Sequence, residues 1–330
     1  RQVQLIDGQT GLSVWSDTYE RGATELLAVQ QTIAEEIVSY VLPEEESVAT
    51  APATRDANAN ELMLLAKHYE NQVRDRSIVD DATLLRAINL YREATKADPE
   101  SALAHSRLAR ALLYLGDHEA AEAPIFRALS LDPNLSEVQN TLGEYYWARG
   151  LPGDLAAYER ALELNPHNAD ALSNYAHRTW FNLEAHEEGW SNPGPLFRRA
   201  LELDPLSLNR HVALGEYLGK DGYVDEVLPV IEDIKSLFDS AESYRTVGWL
   251  YELIGELDVA IAWVIKARDM EPGNPDHVAK LADLYALIGD EETALQLNPD
   301  TDPGILFQLR RYDEFIDVAQ MSMIDYPDDA

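Results

Sequence analysis

The sequence predicts an all-α fold, a solenoid of about seven helical hairpins behind a small, partial α/β segment. Two observations indicate this fold class. The chain of 330 residues is 46% hydrophobic with only 6 Phe, so a sizeable core would consist of Ala and Leu from stacked helices. Residues that end helices also recur at intervals of 34, 33, 39, 34 and 33 residues, at Pro99, Pro133, Pro166, Pro205, Asp239 and Pro272.

The first residues alternate in polarity, as in a β-hairpin. In RQVQLI, Val3 and Leu5 alternate with polar residues, as in a strand. DGQTG has residues typical of a turn, and LSVWSDTY can form the second strand of a hairpin, with Trp15 as a packing residue. Apolar residues then keep helical spacing from Thr24 until Pro43. Residues 1–43 are therefore predicted to be part of an α/β module whose other strands lie upstream, which indicates a fragment of a longer protein.

The remaining residues divide into three predicted segments. Residues 44–60 are polar, punctuated by Ala and Pro, and are typical of a linker. The array of hairpins is predicted over residues 61–294, with a longer connection at 74–81 and an irregular loop near 186–195 that contains Trp190. The pattern then shortens, so residues 295–330 are predicted to form a degenerate last hairpin or a cap.

One unit, Ala241–Pro272, shows the repeat most clearly. Gly255 lies where its first helix should end, because a residue without Cβ adopts the left-handed conformation at low cost, and Pro272 ends the second helix. Small residues recur where two helices must touch. The two packed faces are predicted to consist of Val247, Gly248 and Tyr251, and of Ala260, Val264 and Ala267.

This spacing, with Tyr244 ahead of it, resembles the motif of the tetratricopeptide repeat (TPR) family, and the period favours TPR over HEAT or armadillo arrays. The resemblance implies a right-handed solenoid whose first helices line a concave groove for a protein or peptide. In that register the groove residues would be Arg107, Arg110, Tyr114, Glu144, Trp147, Asn174, His177, Trp180, Glu216, Arg245, Trp249 and Glu252.

Three interpretations of these groove residues stay open. Trp and Arg are the usual anchors of interfaces, which favours binding of a protein or peptide. The Trp residues could instead pack between neighbouring hairpins, or the groove could hold a small ligand. The Lys and Asn set with which some TPR domains bind a carboxyl terminus is not reproduced.

The segment VQLIDGQTGLSVWSDTYE, followed by LLAVQQTIAEEIV, resembles the end of the α/β domain that precedes TPR arrays in bacterial signalling proteins. These proteins include CadC-like membrane-anchored transcription regulators and TPR-bearing class III adenylate cyclases, whose α/β part is similar to the amino-terminal domain of TolB. The resemblance implies architecture and context but carries over no catalytic residue.

Patterns that would indicate chemistry are missing from the sequence. The His residues have no metal-ligand spacing, adjacent carboxylates are too common to be informative, and no glycine-rich loop follows a strand. The chain also has no Cys, which excludes disulfides and thiolate sites. We therefore predict no metal, no cofactor and no enzymatic activity.

The net charge of −33, from 59 Asp and Glu against 26 Lys and Arg, opposes nonspecific binding to nucleic acid or anionic lipid. No basic patch is evident along the sequence, and the acidic residues are spread over the helix surfaces as in a well-solvated protein. No apolar run approaches the roughly 18 residues of a transmembrane helix. We expect neither nucleic-acid binding nor membrane insertion by this fragment.

The sequence thus predicts a non-catalytic protein-interaction region, as the sensory or partner-binding part of a bacterial membrane-anchored regulator. It would be periplasmic in that case and cytoplasmic otherwise. The alternatives are an assembly or oligomerisation scaffold, with a homo-oligomer left open, and the accessory region of an enzyme. The sequence upstream of Arg1 would distinguish the three interpretations. A winged helix with a membrane span would favour the regulator, a cyclase core would favour the enzyme, and a plain secretion signal would favour the scaffold.

The acidity generates a first prediction. Like-charge repulsion should destabilise the fold at low ionic strength, because the Debye length is about 30 Å at 0.01 M salt and about 10 Å at 0.1 M. The melting temperature should therefore rise when NaCl is increased between these two concentrations. Calorimetry or circular dichroism measures it, and an unchanged melting temperature would contradict the prediction.

Overall fold

The structure, a computed structural model, describes residues 2–6, 13–18, 56–74, 81–181 and 192–298. Several predicted features lie outside these residues. They are the helix after Thr24, most of the linker, the predicted connection after residue 74, the loop with Trp190, the terminal hairpin or cap, and the side chain of Trp15.

The chain begins with two strands, β1 (Gln2–Ile6) and β2 (Ser13–Thr18), which pair antiparallel. Gln2 lies opposite Thr18 and Leu5 opposite Trp15, and the register shifts between Leu5 and Ile6. The α/β module as a whole stays a prediction, because its helix lies outside the described residues.

All described structure from residue 56 onward is helical and forms seven consecutive pairs of helices. This agrees with the predicted all-α array of hairpins. In chain order the helices are α1 (Ala57–Arg74), α2 (Asp81–Ala97), α3 (Ala102–Tyr114), α4 (Glu122–Leu131), α5 (Ser136–Ala148), α6 (Asp154–Leu164), α7 (Ala169–Phe181), α8 (Gly194–Leu203), α9 (Leu208–Lys220), α10 (Val224–Leu237), α11 (Ala241–Leu253), α12 (Leu257–Met270), α13 (Pro275–Leu287) and α14 (Glu291–Leu297).

The helices pack mainly on their neighbours in the chain, as expected for a repeat array. The two helices of a hairpin contact each other, as α5 does α6 and α11 does α12, and the second helix contacts the next hairpin, as α12 does α13. First helices also contact first helices, α3 with α5 and α9 with α11. Within each unit, first helices thus pack beside first helices.

Two compact units make up the chain, and the division falls within α7 after Tyr175. Of the described residues, those up to Tyr175 belong to unit 1 and those from Ala176 onward belong to unit 2. Each unit has its own hydrophobic core. The right-handed superhelix implied by the TPR resemblance and the predicted domain limits stay predictions.

The hairpin of α11 and α12 shows why small residues recur. A Cβ atom on Gly248 would lie 2.6 Å from Cγ2 of Val264, so only glycine permits this approach of the two helices. Gly143 of α5 approaches Tyr158 of α6 in the same way, with 2.5 Å from its would-be Cβ to the ring. Gly255 has φ of +84° just after α11, which explains the predicted helix end there.

The cores are rich in Ala and Leu, as the composition predicts, but they also contain buried tyrosines. Ala87, Ala109 and Ala128 are fully buried in unit 1, and Ala260 and Ala267 in unit 2. The large side chains that fill the space beside the small residues include Tyr91, Tyr158, Tyr217 and Phe197. Each core therefore alternates small residues with a few large rings, which is how helices at close distance fill their interface.

A second prediction follows from this packing. Ala267 is 0% exposed in α12, whereas Ala262 of the same helix is exposed. Ala267→Leu should overpack the core and cost about 1–3 kcal/mol of unfolding free energy, while Ala262→Leu should cost far less, because Ala and Leu have similar helix propensities. Urea unfolding measures both variants, and equal losses would show that the packed face is assigned incorrectly.

Candidate functional site

The first helices of unit 1 converge on a buried guanidinium. Arg110 of α3 is only 5% exposed, and its Nη2 lies 2.8 Å from Oε1 of Glu70 in α1. Its Nη1 donates to Oδ2 of Asp170 in α7 at 2.8 Å. The hydroxyl of Tyr91 in α2 donates to the other Glu70 oxygen at 2.6 Å. One buried ion pair with its hydrogen bonds therefore connects four helices.

The charge states in this cluster follow from burial and neighbours. Desolvation acts to lower the pKa of Arg110, but the carboxylates of Glu70 and Asp170 and the ring of Tyr114 outweigh it and raise the pKa well above its usual value. Burial, followed by the negative charge of Glu70, raises the pKa of Tyr91. Arg110 is consequently a permanent cation, and Tyr91 stays a neutral donor.

A second cluster continues the polar face toward the next helices. The amide nitrogen of Asn174 in α7 donates to Oε1 of Glu144 in α5 at 2.8 Å and to Oδ1 of Asn140 at 3.0 Å. Asn140 also donates to Glu144 at 3.3 Å. Every first helix of unit 1 therefore contributes a side chain to a polar network on this face.

The face is concave. Arg110 and Asp170 form an ion pair although α5 lies between α3 and α7 in the order of first helices, so these helices curve toward one another. We call this surface the unit 1 groove. Its side chains lie on α1, α3, α5 and α7 and comprise Lys67, Glu70, Arg107, Arg110, Tyr114, Asn140, Glu144, Trp147, Asp170 and Asn174.

The helical register explains why polar residues gather here. The small residues Ala66, Ala109 and Gly143 are buried. The residue that follows each of them turns toward the groove, which places Lys67, Arg110 and Glu144 at equivalent positions. Helical spacing of three or four residues then adds Glu70, Tyr114 and Trp147 to the same side.

Six of the predicted site residues lie in unit 1, and the structure gives them different environments. Arg110, Glu144 and Asn174 have protein partners in the network, and Arg107 is half-buried. Tyr114 is 38% exposed with its ring centroid 6.0 Å from Cζ of Arg110, and Trp147 is 59% exposed. The two aromatic residues therefore form the accessible apolar part of the groove.

Several members of the network are absent from the residues predicted from the sequence. Lys67 and Glu70 were not predicted, although Lys67 follows Ala66 as Arg110 follows Ala109, and Glu70 lies three residues further along the same helix face. That register could have identified them. Asp170 lies two residues into its helix, and only the curvature of the array brings it to Arg110.

In unit 2, the predicted residues His177 and Trp180 pack within an aromatic cluster. The ring of His177 meets Phe197 edge to face at 4.8 Å between centroids. Trp180 meets Phe197 and Tyr217 edge to face at 6.3 and 5.6 Å, and its indole nitrogen donates to Asp221 at 3.0 Å. Such contacts are expected if Trp180 packs within the protein, which was one of the three interpretations of the groove residues.

The other predicted residues of unit 2 are paired or packed. Glu216 accepts from Lys220 at 2.6 Å, Arg245 donates through two nitrogens to Glu242 at 2.7 and 3.0 Å, and Glu252 lies 2.5 Å from Lys280 of α13. Trp249 packs, partly buried, against the core of its unit. This first-helix face is thus locally neutral.

The described residues contain no group of three or more His, Asp or Glu side chains placed to hold a metal ion. None of the helices described is both long and apolar enough to cross a membrane.

Comparison with known proteins supports the TPR family. Residues 82–145 match the family model of the tetratricopeptide repeat. No curated protein matches the sequence. The α/β resemblance to CadC-like regulators gains no support from these matches.

Solved structures share the fold. PilW, a type IV pilus biogenesis factor, matches with a TM-score of 0.51 and 18% identity over 63% of this chain and 98% of its own. A chain of the APC/C hetero-tetramer Cut9-Hcn1 matches with a TM-score of 0.59 and 14% identity over 90% of this chain and 56% of its own. At these identities the likeness establishes the fold alone, a helical repeat of the TPR type.

The buried ion pair generates a third prediction. Arg110→Met removes the guanidinium from a carboxylate that is fully buried, which should cost about 3–5 kcal/mol of unfolding free energy. The matched control Arg127→Met breaks an exposed pair with Glu100 and should cost less than about 1 kcal/mol. Urea unfolding compares them, and similar losses would show that the network contributes no more than a surface ion pair.

Proposed function

We propose that this chain is a non-catalytic scaffold that binds an extended peptide segment of a partner protein in the unit 1 groove. The single observation that carries the proposal is the combination of a fixed polar floor with exposed aromatic side chains above it. A side chain held by hydrogen bonds loses little freedom when a partner binds, so such a surface is preorganised.

The floor of the groove restricts what can bind. Arg110 is held in place by Glu70 and Asp170, and Glu144 is held by Asn174, so these side chains present a fixed polar surface to a peptide. The guanidinium of Arg110 remains charged at every physiological pH because of its buried carboxylate partner. These features favour recognition of a polar backbone over capture of an apolar small ligand.

The aromatic side chains supply the affinity. Trp147 exposes 59% of its surface, and covering that area would contribute on the order of 2–4 kcal/mol. Tyr114 adds a second ring one helix away, on the same side as Arg110. Exposed aromatic residues beside a structured polar surface are the usual anchors at interfaces.

We further propose the cellular context that the amino-terminal resemblance implies, the partner-binding part of a bacterial membrane-anchored signalling regulator. The support is the segment VQLIDGQTGLSVWSDTYE together with the helix-forming string that follows it. The sequence that precedes Arg1 in the gene tests this proposal. A winged helix with a membrane span would support it, and a cyclase core or a plain secretion signal would contradict it.

A fourth prediction tests the groove directly. A random dodecapeptide library displayed on phage is selected against the purified chain, and enriched peptides are synthesised for calorimetry. Trp147→Ala should raise their dissociation constants about 30-fold or more, since the loss of a central aromatic anchor costs about 2 kcal/mol.

The matched control is Phe126→Ala, which removes an exposed aromatic side chain from α4, a second helix of the same unit. It should leave peptide affinity within about twofold, because α4 does not contribute to the groove. Circular dichroism verifies that both variants keep their helices. Peptides that bind Trp147→Ala as tightly as the wild type would overturn the assignment of the groove.

A further inference from the structure

Two cations lie side by side in the unit 1 groove. Lys67 precedes Glu70 by three residues on α1, and Arg107 precedes Arg110 by three residues on α3, so each occupies the same helix face as its neighbour. Glu70 and Arg110 are joined at 2.8 Å. The helical turn before that ion pair therefore sets Lys67 opposite Arg107.

Among residues 56–74, 81–181 and 192–298, no Asp or Glu forms an ion pair with Lys67 or Arg107. The cations of the unit 2 first-helix face differ, since Lys220, Arg245 and Lys280 each lie within an ion pair. In a chain with a net charge of −33, Lys67 and Arg107 are therefore two neighbouring cations without a carboxylate partner among the described residues.

The electrostatics at this position are positive. Arg107 is the largest influence that lowers the pKa of Lys67, followed by desolvation and then by Arg110. Glu70 and Asp170 act in the opposite direction without balancing these effects. The cations therefore repel one another, and an anion placed between them would relieve the repulsion.

We propose that Lys67 and Arg107 form a subsite that binds the carboxylate of an Asp or Glu side chain in the segment bound by the unit 1 groove. This inference rests on the proposed function of the groove. A guanidinium and an ammonium together offer the fork and point-charge donors that a carboxylate accepts.

The surroundings select an isolated acidic residue rather than a polyanion. The net charge of −33 repels nucleic acids and runs of carboxylates, whereas one carboxylate meets the local positive field at short range. The exposed rings of Tyr114 and Trp147 on the following turns favour apolar neighbours in the same peptide. The partner segment is therefore an extended peptide with an acidic residue separated from an apolar anchor.

The test uses peptides enriched from the dodecapeptide library, synthesised with an amidated carboxyl terminus. Enriched peptides should share one Asp or Glu at a fixed distance from an apolar residue. Exchange of that Glu for Gln, or Asp for Asn, should weaken binding to the wild type about tenfold, because a charge-assisted hydrogen bond is lost. Calorimetry measures each pair of peptides.

The change in the peptide is combined with a double variant of the protein, Lys67→Gln with Arg107→Gln, in a double-mutant cycle. The double variant should bind the acidic and the amide peptides within about twofold of each other, since the subsite that distinguishes them is gone. The matched control Arg92→Gln with Lys96→Gln removes the same charge from exposed positions on α2 and should retain the tenfold preference.

The outcomes separate this inference from the proposed function. Peptides that require Trp147 but show no preference for the acidic residue would overturn the subsite and leave the groove intact. Peptides that bind only with a free terminal carboxylate would also overturn it, because the carboxylate would then come from a chain end. If no enriched peptide depends on Trp147, the groove assignment fails first and the subsite fails with it.

Discussion

The close approach of two helices within each hairpin is the constraint on which the rest of the structure depends. Gly143 against Tyr158 and Gly248 against Val264 leave no room for a Cβ atom, so the face of the first helix that carries the glycine must turn toward the second helix. Residues on the other side of the first helix, away from the glycine, cannot contact the second helix of the hairpin. The position of the groove thus follows from the position of the small residues.

The groove side of the first helices contains buried charges, which must be paired. Arg110 and Glu70 are removed from water, and such charges are tolerated only when they are paired and hydrogen-bonded. Tyr91 and Asp170 complete the pairing from α2 and α7, which ties the first hairpin to the helix that begins the fourth. The polar network consequently stabilises unit 1 and presents a fixed surface to a partner.

The first helices of the two units carry similar residues in groove register, but the environments of these residues differ between the units. In unit 2, Glu216, Arg245 and Glu252 are neutralised by neighbours, and Trp180 packs on Phe197 and Tyr217. In unit 1, Trp147 remains exposed while Lys67 and Arg107 lack carboxylate partners within the described chain. An Arg or Trp in groove register therefore indicates recognition only where its neighbours leave it accessible, which is why we assign the binding surface to unit 1.

The sequence by itself determined the repeat, because small residues and helix ends recur with a period that a stack of hairpins requires. The resemblance to the TPR motif also implied a common face for Arg110, Tyr114, Glu144, Trp147 and Asn174, and helical spacing accounts for the residues that share one helix. Tertiary structure alone decided which of them are buried, which are exposed, and that Asp170 reaches Arg110 across 60 residues of chain. Lys67 and Arg107 likewise come together only through the packing of α1 and α3. Sequence patterns record contacts within a helix, whereas a pairing between helices, such as Arg110 with Asp170, depends on how the hairpins of unit 1 pack on one another.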